Sequence, residues 1–403
     1  MKQYDVIIIG GGAAGFFAAI NIGELYPNLK IAVLERGKDV LGKVKVSGGG
    51  RCNVTHAEFV PQELTSYYPR GEKELLGPFH TFMTGDTMEW FENKGVSLKI
   101  EDDGRIFPTS NNSQTIIDCF LNEADKYNVE VLTNQSVTSF SPIDQQWEVV
   151  TKSDQFTAQK LIVATGSNPK IWSFLEQLGH TIIKPVPSLF TFNINDARIK
   201  DIPGVVAQNV TVKVIGTKLE SSGPLLITHW GMSAPSILKL SAFGALDLAK
   251  KEYKFDIEVN FVNQDFEDVL SDLKTYKQDL SKKTVFKAAQ FDMPKRLWKT
   301  LVEAAGITEN TRWADLNKSQ LDDLASQLTT AIFKVDGKST FKEEFVTAGG
   351  IDLKEVNFKN YQSKLHSNLY FAGEIINVDA LTGGFNFQNA WTGAYIVAKN
   401  IEI

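Results

Sequence analysis

The chain has 403 residues, 43% hydrophobic and 22% charged, with a formal net charge of −6. This length fits two to three globular domains with ample core material, and the acidic balance gives no electrostatic basis for nucleic acid or an anionic membrane as the main partner. Two cysteines, Cys52 and Cys119, exclude a disulfide scaffold and a multi-thiolate zinc centre, and the five histidines show no close pairing, so no metal is expected.

The N-terminus enters a strand at once. "YDVIII" (4–9) is the continuous apolar run of a strand buried in a parallel sheet. "GGGAAGFFAAINIGEL" (10–25) starts with small residues and continues as a helix, and "KIAVLE" (30–35) is a second strand, completing one βαβ unit. A helix is expected over 79–94, then a strand and loop in "VSLKIEDDGRIFPTS". Another helix is expected over 113–127, with Ser110, Asn111 or Asn112 near its cap. Cys119 lies there among Ile116, Ile117 and Phe120 and reads as a core residue. Residues 129–165 carry short alternating runs that suggest an antiparallel meander, returning to the parallel sheet through the apolar "LIVATG". After "KPVPSL" (184–189) the character changes. Residues 186–264 and 330–346 read as an inserted β domain, and 265–329 as a helical insert of charged amphipathic helices over 265–283, 291–306 and 318–329, with Trp298 and Leu301 facing inward. "AIFKVDGKSTF" holds an Asp-Gly hairpin signal. From "VTAGGI" the first domain resumes: "NLYFAGE" is a buried strand and "FNFQNAWTGAYIVAKNI" a helix. The first domain thus comprises 1–185 and 347–403. No run reaches the ~18 apolar residues of a membrane helix and the start lacks a signal-peptide layout, so a cytoplasmic location is expected.

Gly10-Gly11-Gly12-Ala13-Ala14-Gly15 satisfies G-x-G-x-x-G in the required context: it follows a strand, opens a helix, and Glu35 ends the next strand. Gly10 permits the tight turn, Gly12 the approach of a pyrophosphate, and Gly15 close helix–strand packing. The helix N-terminus favours the phosphates, and Glu35 can accept from ribose hydroxyls. Two further features favour FAD over NAD. "LIVATGSNP" (161–169) ends a strand in small residues, where a cofactor can pass closely. In "LYFAGEIINVDALTGGFNFQNAWTGAYIVA" (369–398) a strand ends at Gly373-Glu374, and Gly383-Gly384 opens a helix. Glu374 can bind ribityl hydroxyls, and the helix N-terminus can face the pyrimidine end of a flavin.

These stretches, with "GKVKVSGGGRCNVTH", "DDGRIFP", "PVPSLFTF" and "LLITHWGMSAPSIL", make the chain resemble the BaiN/RdsA-type (YhiN-like) NAD(P)/FAD-dependent oxidoreductases over nearly its whole length. The resemblance implies an α/β protein: a discontinuous Rossmann-like FAD-binding domain (parallel sheet plus β-meander) of the glutathione-reductase type, interrupted by a β-barrel-like part and a small helical part. It places FAD contacts at Gly10, Gly12, Ala13, Ala14, Gly15, Glu35, Arg36, Lys43, Ser47, Gly49, Gly50, Arg51, Cys52, Asn53, Val137, Ala164, Thr165, Gly166, Gly373, Glu374, Gly383, Gly384, Asn386, Phe387 and Gln388. One departure is "GSNPKIWSFLEQLGH", where relatives usually carry a second glycine and a glycine-rich turn; the surface here is bulkier.

Disulfide reductases of this fold need a second cysteine five positions along, and that position is Ala57. Cys52 therefore either lines the flavin beside Arg51 or packs as a small apolar residue. His229 in "ITHWGMSAPSIL" can act as acid or base if it faces the flavin, with Ser233 capping the next helix. Arg105 can bind an acidic substrate or pair with Asp102 or Asp103. No second dinucleotide fingerprint is present, so NADH or NADPH docks transiently over the flavin or another donor serves. The expected activity is hydride exchange between flavin N5 and a small-molecule substrate bound between domain and insert. The alternatives are reduction of a steroid-like apolar substrate and a flavin-binding redox sensor or electron-transfer protein.

Overall fold

The computed structural model describes residues 1–339 and 346–401. The last stretch of the expected insert, and the hairpin "AIFKVDGKSTF" beyond Ser339, fall on residues outside the described ones. Chain contacts divide the protein into two units, Met1–Pro185 with Thr347–Ile403, and Val186–Val346.

The first unit is built on β1 (Lys2–Ile9), α1 (Ala13–Leu25), β2 (Ile31–Leu34), α2 (Gly42–Gly50), β3 (Glu130–Leu132), β4 (Val137–Ile143), β5 (Gln146–Thr151), β6 (Gln155–Val163), β7 (Leu369–Phe371) and α3 (Phe385–Asn400). Its sheet runs β7-β6-β1-β2-β3, every neighbouring pair parallel. Ile7 sits between Ala32 and Leu161. Val6–Ile8 are completely buried, because a central parallel strand is covered on both faces and has no edge. β4, β5 and β6 form the expected antiparallel meander. "VEVLT" is not part of it: β3 pairs in parallel with the otherwise open edge of β2.

α1 is buried from Ala14 to Gly23. It lacks a polar face because other helices cover what the sheet does not: the Phe17 ring lies 5.1 Å from Trp391 of α3 and 4.5 Å from Trp90. Of the helix expected over 79–94, Phe79 ends a first helix, Glu72–Phe79, and the rest forms a second, Thr84–Asn93. The second starts afresh because Asp86 accepts from the Met83 amide at 2.8 Å, a side-chain cap that propensity over the window does not show. In the helix Ser113–Lys126 the cap is Asn112, which accepts from the Gln114 amide at 2.9 Å.

A buried cluster joins the two stretches of the first unit that flank the insert. His180 lies 3.0 Å from Glu355 Oε2 and 3.1 Å from Ser363 Oγ. Ser363 Oγ already accepts the amides of Leu365 and His366, so its own proton goes to His180 Nε2. His180 Nδ1–H then donates to Glu355, which fixes the neutral tautomer.

The second unit holds an antiparallel sheet ordered Ala331–Asp336, Lys254–Asn260, Val206–Val214, Glu220–Ile227, Gly231–Ser233, Thr191–Asn193, Lys338–Ser339. Its two edge strands are consecutive in sequence, joined by Gly337 alone. A sheet whose edges share one linking residue has to curl, giving a barrel-like form. This overturns the Asp336-Gly337 hairpin: Ala331–Asp336 pairs with Lys254–Asn260, and Lys338–Ser339 with Thr191–Asn193. The helices Phe266–Asp279, Lys295–Ala304 and Lys318–Thr329 pack Leu273, Trp298 and Leu328 into the same core as Val212, Ile257 and Phe333. Ser233 does not cap the helix Pro235–Phe243; it ends a strand and accepts from Thr191 Oγ1, and the cap position is Ala234. Among the described residues no helix is long and apolar enough to cross a membrane.

Burial pushes the His180 pKa down, opposed in part by its hydrogen bond to Glu355. The unfolded chain therefore binds that proton more readily. The stability held by neutral His180 is complete above the ordinary histidine range and is lost as pH falls through it. The thermal midpoint is expected to drop between pH 7 and pH 5, and the H180Q variant to lose part of that slope. An unchanged slope in differential scanning fluorimetry would remove this role.

Candidate functional site

The site is built where β1 ends. Gly10 has φ +114°, and a Cβ there would stand 2.5 Å from Ala164 O at the end of β6. A Cβ on Gly15 would stand 1.9 Å from Gly10 O. Strand end, helix start and neighbouring strand end thus meet with no space for a methyl group. Gly12, by contrast, faces open space. It is the N-cap of α1, with no side-chain cap and no acidic residue in the first turn, so the amide end of a long buried helix is left for an anion. Glu35 is fixed beside this turn. Its Oε2 accepts from the Gly11 amide at 2.9 Å and its Oε1 from the Gly37 amide at 2.8 Å. Each oxygen keeps a lone pair. Arg36 beside it is exposed.

The opposite wall comes from distant sequence. A Cβ on Gly373, just past β7, would lie 3.1 Å from Ala14 Cβ. Glu374 pairs with Lys43 of α2 at 2.5 Å. A Cβ on Gly166 would lie 3.6 Å from Glu374 Oε2 and 3.9 Å from Lys43 Nζ. Residues 14, 43, 164–166 and 373–374 therefore converge beside the glycine turn. Thr165 Oγ1, Asn53 Oδ1 and Asn377 Oδ1 are buried without a hydrogen-bond partner among the described residues.

A sequence profile described as the HI0933-like protein Rossmann domain matches residues 4–400. The chain belongs to the HI0933-like family. Full-length relatives of this HI0933-like chain include a protein named ribosomal RNA dihydrouridine synthase from Haemophilus influenzae, 28% identical, with all of both chains aligned. A protein of the same name from Escherichia coli K12 is 26% identical, over all of this chain and 98% of the other. A 3-dehydro-bile acid delta(4,6)-reductase from Clostridium scindens is 24% identical over 97% of each. Among solved structures, a 3-ketosteroid-delta4-(5alpha)-dehydrogenase from Rhodococcus jostii RHA1 is similar with a TM-score of 0.50 at 12% identity, over 99% of this chain and 97% of the other. At that identity the likeness establishes the fold alone.

The HI0933-like chain places its other expected site residues unevenly. The stretch 47–53 leaves α2 through Ser47 (ψ 149°) and three left-handed glycines, Gly48 to Gly50. Gly49 and Gly50 face open space, and Ser47 Oγ donates to Val44 O. Arg51 is paired within the protein: Nη1 donates to Glu101 Oε1 at 2.7 Å, and the guanidinium lies 3.8 Å from the Phe107 ring centre. The arginine holds the Glu101 carboxyl below its ordinary pKa. Arg105 pairs with Asp103 at 2.8 Å. Val137 is buried on β4, its carbonyl accepting from Lys170. Beyond Glu374, Arg70 and Asp379 form a buried two-point ion pair. Asn386 braces the same loop through both hydrogen bonds to Ala380. Gln388 is directed inward, accepting from Thr55 and Thr87 and donating to Thr392. Phe387 stacks on Trp391. His229 lies in the second unit, exposed on a cavity of about 280 Å³ with Trp230, Thr228, Asp196 and Lys200.

Sequence reasoning missed Arg70–Asp379, whose partners are 309 residues apart. It also missed His56, although "VTH" stood inside a quoted motif. Its Nδ1 lies 3.1 Å from Gly383 O.

Cys52 is completely buried with φ +61°. Burial pushes its thiol up to about 12, offset in small part by the neighbouring Ser47 side chain; Cys119 is likewise pushed up to about 12. Neither supplies a thiolate near neutral pH. A thiol reagent at pH 8 is expected to label the folded protein about 100-fold more slowly than the urea-unfolded chain. Fast labelling of Cys52 in the folded protein would contradict this assignment.

Proposed function

We propose that the chain binds FAD along the Gly10–Gly15 turn and reduces a carbon–carbon double bond conjugated to a carbonyl, with NADH or NADPH as electron donor. The observation that carries the cofactor reading is the convergence of Ala14, Lys43, Gly166 and Glu374 next to an uncapped helix N-terminus. The fit is chemical as well as steric. The amides after Gly12 would hold the pyrophosphate, with Gly49, Gly50 and the unpartnered Asn53 and Thr165 beside it. Glu35 would accept from the ribose hydroxyls, with Arg36 next to it and Val137 toward the adenine end. Lys43 and Glu374 would hold the ribityl chain, and Gly383-Gly384 would face the pyrimidine ring. When bound, FAD supplies two-electron hydride chemistry, while the protein supplies binding, orientation and electrostatics. Cys52 has no thiolate to contribute. His229 and Arg105 lack a demonstrated approach to this cradle, so neither is assigned a role in the chemistry.

The relatives' names support the type of substrate. Dihydrouridine is uridine saturated at the double bond conjugated to a ring carbonyl, and a delta(4,6)-reductase saturates a conjugated dienone. Each double bond reduced in either case takes up two electrons and two protons at an activated alkene. Uridine within ribosomal RNA is the first reading, because two full-length relatives carry that name at 28% and 26% identity. A net charge of −6 gives such a protein little non-specific attraction to RNA, so recognition would be local. A steroid-like dienone is the second reading, favoured by the relative at 24% identity.

Three measurements test this. The purified protein is expected to be yellow and to release FAD on denaturation; a protein that binds no flavin ends the reading. Under anaerobic conditions NADH or NADPH is expected to bleach it; failure of both removes the nicotinamide donor. Incubation with ribosomal RNA and the donor is expected to yield dihydrouridine by mass spectrometry, and a conjugated steroid dienone to keep its ultraviolet absorbance. The reverse pattern moves the substrate to the second reading.

A further inference from the structure

We infer that His56 is a positioning residue that sets the electrostatics at the flavin-facing end of α3; the inference rests on the FAD reading above. His56 ends a short strand, Thr55–His56, paired with Arg105–Pro108. Its Nδ1 lies 3.1 Å from Gly383 O. A carbonyl oxygen only accepts, so Nδ1 carries the proton. The ring is held on three sides. It lies 4.5 Å from the Phe385 ring, which itself stacks on Tyr67 at 4.1 Å. A Cβ on Gly104 would come within 2.6 Å of Nε2, so that backbone packs directly against the ring.

Gly383 and Gly384 have φ of +134° and +98°. A Cβ on Gly384 would stand 2.6 Å from the Thr55 carbonyl. Two adjacent glycines allow their shared peptide to rotate at little steric cost, so something else has to set its direction. His56 does so by taking the Gly383 carbonyl. In a trans peptide the C=O and N–H point in opposite directions. The Gly384 N–H therefore faces away from His56 and joins the open amides of the first turn of α3. That turn has no side-chain cap and no acidic residue. Preorganised N–H groups of this kind stabilise negative charge, here the charge that reduction brings to the pyrimidine end of the flavin. With the donor gone, the peptide is free to turn its carbonyl toward that end.

The test compares H56F and H56L, which remove the donor, with H56N, whose amide nitrogen stands near the position of Nδ1. H56F also keeps a ring against Phe385. The readout is the flavin midpoint potential of FAD-loaded protein, measured by dye equilibration, with the FAD dissociation constant alongside. Donor loss is expected to reduce the preference for reduced over oxidised flavin about tenfold, a shift of about −30 mV for a two-electron couple. H56N is expected to stay within about twofold of the parent, well under one such tenfold step. FAD-bound H56F or H56L at the parent potential overturns the inference. So does an equal shift in H56N, which would point to lost packing rather than a lost donor. A parent protein that binds no FAD overturns the cofactor reading itself, and the two failures are thereby separable.

Discussion

The steric closure at Gly10 and Gly15 governs the rest of the first unit. Ala164 O occupies the space where a Gly10 side chain would begin, and Gly10 O the space at Gly15. This lets α1 start directly at the tip of the central strand. The amide end of the helix then stands at the edge of the sheet rather than a turn away from it. Covering that helix completely requires a second helix, and α3 supplies it, with Trp391 against Phe17. The packing that buries α1 is also what brings residues 373–388 back to the turn.

That return is held by polar contacts rather than by a long strand, since β7 has only three residues. Arg70 clamps Asp379, Asn386 hydrogen-bonds Ala380 twice, and Gln388 ties α3 to Thr55 and Thr87. Removing one partner of a buried ion pair typically costs about 3–5 kcal/mol, while replacing the whole pair with apolar groups is often neutral. The value of such contacts lies in geometry: they fix where Glu374 and Gly384 stand. Asn386 and Gln388, both in the set expected to touch cofactor, also brace this loop and helix.

Legibility in the sequence followed the range of the interactions. The β1–α1–β2 unit was readable because its period, its glycines and Glu35 lie within 35 residues. The meander, the Asn112 cap and the buried faces of Trp298 and Leu301 are also local signals. The Asp336-Gly337 hairpin failed because both flanking strands found longer-range partners. The helix expected over 79–94 is present but starts at Thr84, where one carboxylate, Asp86, caps it. Arg51 stands beside three glycines in the sequence, while its partners Glu101 and Phe107 lie about fifty residues on and leave no local mark. Arg70 with Asp379 and His56 with Gly383 are each more than 300 residues apart, and nothing short of the fold reveals them.

The pairing of Lys43 with Glu374 has a consequence for biosynthesis. The residues on the two sides of the cradle are 331 positions apart, and the whole second unit is translated between them. At about 5–20 residues per second, a ribosome needs roughly 15–70 s to go from one to the other. During that interval the glycine turn, α1 and the first five or six strands can be present without the wall that closes over them. The nascent chain therefore has to carry an open dinucleotide turn and the uncovered apolar side of α1 while it makes and folds a separate barrel. Closure of the cradle is in this sense a late event, timed by the arrival of residues 373–400 rather than by the glycine motif at residue 10.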